Sequence, residues 1–342
     1  MSQKKRVYIA YTGGTIGMKL VHGRYQPVPN FLQTLMAANP AFHHAQLPTY
    51  TITQYDPLLD SPNMTPADWS RIARDICEHY GEYDGFIVLH GTDTMAYSAS
   101  ALAFMLDGLG KPVIFTGSQI PLCEIRNDAQ ENLIASLLLA ADYAIPEVCL
   151  YFHKKLFRGC RVVKVDANGF DAFDSPNYRP LAELGIGIAV NWGLVRPLPP
   201  TSLALHELTS PGEVGALRLY PGMSVRILEN ILQPPLRGLI LQTYGAGNAP
   251  DNDPEFLRVL AQATGRGVVI VDCTQCLRGT VDLTKYATGS ALAKAGLISG
   301  YDMTPEAALT KLAYLLSVYD DLEVVKSQMQ ANLRGELTVT GI

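Results

Sequence analysis

Short runs of β-branched and aliphatic residues recur along this chain, at Arg6–Tyr11, Gly85–His90, Val113–Thr116, Val148–Phe152, Ala216–Tyr220, Gly238–Thr243 and Val268–Asp272. They are apolar at successive positions, so both faces of each strand must be covered. That pattern belongs to parallel sheets flanked by helices. The intervening segments carry helical periodicity. Thr65 suits a helix N-cap and Pro66 the first helical position, and Trp69, Ile72, Ala73, Ile76 and Cys77 then repeat on one face. Met95–Leu109 and Leu133–Ala141 are apolar almost all round, which predicts helices buried deep in a large protein or against another subunit. The pattern lapses over Asn191–Glu213, where Pro197, Pro199, Pro200 and Pro211 interrupt any ladder, and then resumes. The expected fold is α/β, with mostly parallel, helix-covered sheets in two domains. A larger N-terminal catalytic domain spans residues 1–190, a linker 191–213 and a smaller C-terminal domain 214–342.

Composition narrows the partners. Apolar residues make up 48% of the chain and charged residues 17%, against a usual charged share of about 25%, so disorder is excluded. A net charge of −5 offers no footprint for a nucleic-acid backbone or an anionic membrane, and no apolar run reaches the ~18 residues of a span. The basic start Lys4-Lys5-Arg6 before an apolar stretch resembles a secretion signal, but Gly13-Gly14 breaks the stretch early; a cytoplasmic location is expected. The six cysteines are sparse and expected to be reduced. Cys273 and Cys276 form a lone CxxC with no second pair to complete a zinc site, so neither metal nor cofactor is expected.

Two loops carry chemistry. In open parallel sheets, ligands bind beyond the carboxyl ends of the strands. After the first strand comes Thr12-Gly13-Gly14-Thr15-Ile16-Gly17, in which paired glycines permit close backbone approach and leave Thr15 on a tight turn. A nucleotide loop is the competing interpretation, but the spacing is wrong, there is no P-loop Lys, and no Asp or Glu occurs before Asp56 to hold a ribose. After Gly85–His90 comes Gly91-Thr92-Asp93-Thr94 ahead of a helix, where free backbone N–H groups can face a developing oxyanion. Either loop alone reads as a turn or a helix cap. Together they place two hydroxyls at one sheet edge, which points to threonine nucleophile chemistry in need of a base. Asp93 adjoins Thr92, but spacing alone does not choose among the lysines.

The segments Ile9–Gly17 and Gly85–Met95 resemble the two signatures of bacterial-type L-asparaginases. The likeness extends through Asp60-Ser61, Thr116–Gln119, Tyr244–Asn248 and Tyr286–Gly289, and is greatest to the cytoplasmic type I enzymes. It implies Thr15 as the nucleophile that attacks the asparagine side-chain amide, with Tyr25, on a closing loop, assisting proton transfer. It implies a second triad of Thr92, Asp93 and Lys164. It also implies that Asp60, Ser61, Thr92 and Asp93 hold the substrate's amino-acid end, and that Asn248 reaches the site from the neighbouring subunit of a homodimer, itself free to pair into a tetramer.

Two positions depart from the family pattern. Val163 stands where relatives often carry a hydroxyl residue, so no regulatory asparagine site is assigned, and Pro62 stands where a small polar residue is common. The competing functions are a glutaminase, the ammonia-supplying subunit of an amidotransferase, or a protein that binds asparagine or aspartate without turning it over. Ammonia release from asparagine and glutamine separates them.

Overall fold

The computed structural model describes residues 4–209, 211–283 and 287–338; Tyr286 of the last family segment lies outside them. The chain forms two compact units that divide between Leu205 and His206. The first is built on an eight-stranded sheet containing β1 (Arg6–Gly13), β2 (Thr49–Leu59), β3 (Gly85–Leu89), β4 (Val113–Thr116), β5 (Val148–Phe152), β6 (Lys155–Arg158), β7 (Ala182–Leu184) and β8 (Ile188–Val190). Their spatial order is β8-β7-β6-β5-β4-β3-β1-β2. The strands from β5 to β2 are parallel, while β6, β7 and β8 add antiparallel at the far end. The main helices of this unit are α1 (Phe31–Ala38), α2 (Pro66–His79), α3 (Met95–Met105) and α4 (Ala129–Asp142).

Both faces of the sheet are dry, as the apolar runs require. Val7, Ile9, Tyr11, Ile87, Leu89 and Ile114 pack with Leu32 and Met36 of α1 and Leu133 and Leu137 of α4. The alternate residues Tyr8, Ala10, Phe86, Val88 and Phe115 are equally buried and belong to the opposite face, because side chains alternate along a strand; α2 and α3 pack there. Helix α2 starts where Thr65 and Pro66 indicate: the Thr65 amide and hydroxyl both donate to Asp68 Oδ2, at 2.7 and 2.8 Å. Helix α3 is buried along almost its whole length, which accounts for its lack of a polar face.

The proline-bearing segment after β8 is not loose at its start. Glu147 and Arg158 form a buried bidentate pair, at 2.5 and 3.0 Å. Arg158 also donates to the Leu194 carbonyl at 2.8 Å, and Glu147 accepts the Arg196 amide at 2.7 Å. Ala204–Leu205 then pairs with Leu106–Asp107 of the first unit.

The second unit holds a four-stranded, all-parallel sheet of β9 (Val214–Arg218), β10 (Gly238–Thr243), β11 (Val269–Thr274) and β12 (Ile298–Ser299), in that order. Its helices are α5 (Val225–Ile231), α6 (Pro254–Gly265), α7 (Ala287–Lys294), α8 (Pro305–Val318) and α9 (Leu322–Gln330). Behind α8 lies a fully buried ion pair: Lys311 Nζ meets Glu336 Oε1 at 2.5 Å and donates to the carbonyls of Met329 and Ala331. Glu336 in turn accepts the amides of Leu333 and Arg334. Among the described residues no helix is long and apolar enough to cross a membrane.

Candidate active site

Four adjacent parallel strands of the first unit end at one edge. Strand β1 lies between β2 and β3, so the chain leaves it in one direction and returns on the other, which is where open α/β sheets open a crevice for ligands. The loops after β1, β2, β3 and β4 carry Thr15, Asp60 and Ser61, Thr92 and Asp93, and Gln119 respectively.

Backbone contact sets how close those loops come. Gly14, at φ +88°, lies against the β3 loop: a Cβ there would stand 2.5 Å from the Gly91 amide nitrogen. Gly91 meets the β2 loop in the same way, with its would-be Cβ 2.5 Å from Ser61 Oγ. Only glycine permits the approach at position 14, and at position 91 a Cβ would push the buried Ser61 side chain aside. They bring the residues just before Thr15 and Thr92 into contact with each other and with Ser61. Hydrogen bonds complete the joint. Thr12 Oγ1 donates to the Leu89 carbonyl and Thr94 Oγ1 to the Ser61 carbonyl, each at 2.8 Å.

The two threonines differ in surroundings. Thr15 opens a short 3-10 turn and is partly exposed; its hydroxyl takes no hydrogen-bond partner among the described residues, so it is free to meet a substrate. Thr92 is buried and fully engaged: it accepts from Lys164 Nζ at 2.9 Å and donates to Gln119 Oε1 at 3.2 Å. Lys164 Nζ also reaches Asp93 Oδ1 at 2.8 Å. Its side chain is 20% exposed and that of Asp93 59%, so the chain of contacts runs from a sheltered hydroxyl out to a wet carboxylate. The lysine left open by spacing is thereby selected by geometry. Val163–Lys164 pairs antiparallel with Phe173–Asp174, which fixes the direction from which Lys164 enters.

Tyr25 stands apart in this conformation. It lies on a hairpin of Met18–Val21 with Arg24–Pro27, is 46% exposed, and donates its hydroxyl to Glu124 Oε1 at 3.0 Å. That acceptor raises the pKa of the phenol above its ordinary value. No hydrogen bond joins Tyr25 to Thr15 among the described residues. Asp60 is exposed beside buried Ser61. Asn248 belongs to the second unit, on a turn closed by reciprocal backbone bonds with Tyr244, at 2.9 and 2.8 Å.

Supporting residues that loop composition did not single out also emerge. Gln119 Nε2 donates to the carbonyls of Ala167 and Gly169, at 3.4 and 3.0 Å, so the residue that orients Thr92 is itself held from the far side. Asp128 accepts the amides of Gln119 and Ile120 at 3.0–3.1 Å and fixes that loop. His90 is fully buried under the Thr92 loop; burial pushes its pKa down to about 4, so it is a neutral hydrogen-bonding strut. The available signal was position: Gln119 follows β4 at the same sheet edge as the threonine loops.

Comparison with known proteins agrees with this architecture. Residues 6–196 match the model of the asparaginase N-terminal domain, and residues 213–329 that of the glutaminase/asparaginase C-terminal domain. The chain belongs to the asparaginase family. It is 53% identical to L-asparaginase 1 of Escherichia coli K12, over 98% of this chain and 99% of that one. The crystal structure of L-asparaginase I from Vibrio cholerae superposes with a TM-score of 0.91 at 51% identity, covering 98% of this chain and 100% of that one. The thermostable L-asparaginase from Thermococcus kodakarensis is more distant, with a TM-score of 0.87 at 34% identity over 98% of this chain and 100% of that one. Among asparaginases this chain thus stands with proteins named as the first type.

Proposed function

We propose that the protein hydrolyses L-asparagine to L-aspartate and ammonia through an acyl-enzyme on Thr15. The observation that carries this is the pairing of an unengaged threonine hydroxyl with a Thr92–Lys164–Asp93 chain one loop away. In the first half, Thr15 Oγ1 attacks the side-chain amide carbon, the C–N bond breaks, and the hydroxyl proton ends on the departing nitrogen. Tyr25 carries that proton after leaving Glu124. Backbone N–H groups of the glycine loops face the developing oxyanion. In the second half, water attacks the ester and returns a proton to Thr15. The Thr92–Lys164–Asp93 chain accepts and relays it.

The carboxylates of Asp93 and Asp60 suit the substrate's α-ammonium, while Ser61 contributes to its carboxylate end and Thr92, held in the relay, meets the reacting side chain. Asn248 of a neighbouring subunit completes the site, so the working unit is a dimer or a dimer of dimers, placed in the cytoplasm. The domain ranges proposed from sequence go with this arrangement: the catalytic loops belong to residues 1–190, and Asn248 to 214–342.

The test is ammonia release from L-asparagine by Thr15→Val. The expected result is abolished turnover with unchanged circular dichroism and oligomeric state. Near-normal turnover would show that Thr15 is not the nucleophile.

A further inference from the structure

The second unit contains a buried carboxyl that the reaction above does not use. Asp272, on β11, is fully buried. Its Oδ1 accepts the Thr243 hydroxyl at 2.6 Å, and its Oδ2 is buried without a hydrogen-bond partner. A half-satisfied carboxyl in a dry interior is costly, and an apolar residue of similar size would avoid that cost, so its presence calls for an explanation. Burial pushes its pKa up to about 7, opposed by the Thr243 hydroxyl. Its titratable neighbour is Cys273 on the same strand, itself shifted upward by burial; Glu306 at the start of α8, also shifted upward by burial, acts on Cys273.

The location supplies the explanation. Thr243 is the last residue of β10 and leads directly into the Tyr244–Asn248 turn. Gly247, the residue before Asn248, packs on the same carboxyl: a Cβ there would lie 3.2 Å from Asp272 Oδ2 and 2.9 Å from Val281. One side chain therefore touches both the entry and the exit of this turn. The middle is pinned independently, since Thr274 Oγ1 donates to the Gly245 carbonyl and the Asp282 amide to that of Ala246.

We propose that Asp272 is a positioning residue, bracing both ends of the Tyr244–Asn248 turn so that Asn248 is presented to substrate. The inference rests on the role given above to Asn248. It predicts a split in kinetic constants, because the turn serves substrate binding and not bond breaking. Asp272→Leu, and Thr243→Val from the opposite side of the same hydrogen bond, should each raise KM for L-asparagine about tenfold, the size of one lost substrate hydrogen bond, with kcat within about twofold. Asp272→Asn keeps an acceptor for Thr243 and should restore KM to near the parent value. A merely structural role would not produce that pattern.

The experiment measures KM and kcat for these variants, for Asn248→Ala, and for Asp272→Leu combined with Asn248→Ala, with melting curves and oligomeric state recorded for each. Support is a KM rise in Asn248→Ala that the double variant does not exceed, since residues acting through one another are non-additive. If Asn248→Ala raises KM while neither Asp272→Leu nor Thr243→Val does, the inference is overturned and the role of Asn248 stands. If Asn248→Ala leaves KM unchanged, the role of Asn248 fails and takes this inference with it. Thr243→Val keeps the test informative should Asp272→Leu not fold.

Discussion

Asp272→Asn makes a second, separate prediction, about stability against pH. The buried carboxyl holds its proton up to about pH 7, whereas its ordinary value is 3.8. Between those two values the folded protein binds a proton that the unfolded chain has released. Stability must therefore fall as pH rises through that window, and level off above it. At 1.36 kcal/mol per pH unit the full penalty is about 4 kcal/mol, of which about 2.5 kcal/mol accrues between pH 5 and pH 8. Asparagine does not titrate, so the variant escapes this loss. Urea unfolding of both proteins at pH 5, 6, 7 and 8 should show the variant gaining on the parent by about 2.5 kcal/mol across the series. Glu306, whose shift does not come from Asp272, titrates alike in both proteins and cancels in the difference, and burial keeps the folded Cys273 thiol protonated throughout this range. The orphan amide of the new side chain adds an offset that pH does not change. A difference that stays flat from pH 5 to pH 8 would refute the assignment of a neutral buried carboxyl.

Three further outcomes are expected. Lys164→Met should lower kcat by about 10²–10⁴-fold while changing stability by no more than about 1 kcal/mol, since its partner Asp93 is largely exposed. Rapid-quench ammonia measurement should show a first turnover followed by a slow phase, and an unchanged kcat would remove Lys164 from the relay. Lys311→Met leaves Glu336 buried without its counter-charge and should destabilise the protein by about 3–5 kcal/mol in urea unfolding; a loss below about 1 kcal/mol would mean that water reaches the carboxylate. Glu124→Ala removes the acceptor that holds Tyr25 and should raise kcat/KM about fivefold, the worth of one ordinary hydrogen bond. Adding Tyr25→Phe should abolish that gain, and a gain that persists would exclude the tyrosine as its source.

Much of the fold could be read from residue pattern, because strands covered on both faces have little freedom in composition. Val113–Thr116, Val148–Phe152 and Gly238–Thr243 form strands with the expected bounds. The pattern missed β2, Thr49–Leu59, which lies at the sheet edge with many of its residues partly exposed. Its polar threonines and glutamine give no continuous apolar run. The antiparallel β6, β7 and β8 escaped for a similar reason, being short and at the opposite margin. At the site, Thr15, Thr92 and Asp93 were visible because glycine-rich turns at strand ends are locally unusual. Lys164 was not, since its role depends on a contact with Thr92 across more than seventy residues of sequence. Tyr25, Asp60, Ser61 and Asn248 came only from the family resemblance.

The contacts of Gly14 with Gly91, and of Gly91 with Ser61, also bear on how such a protein can diverge. Three loops that touch through missing side chains cannot be altered one at a time, because enlarging residue 14 or 91 displaces two catalytic segments at once. Descendants with new substrates must therefore keep this backbone joint and change what surrounds it. Pro62, exposed at the mouth and without a role in the relay, can be exchanged without backbone collision. A mutational library aimed at substrate preference has its viable members around such positions, and its dead ones among the glycines and the relay residues.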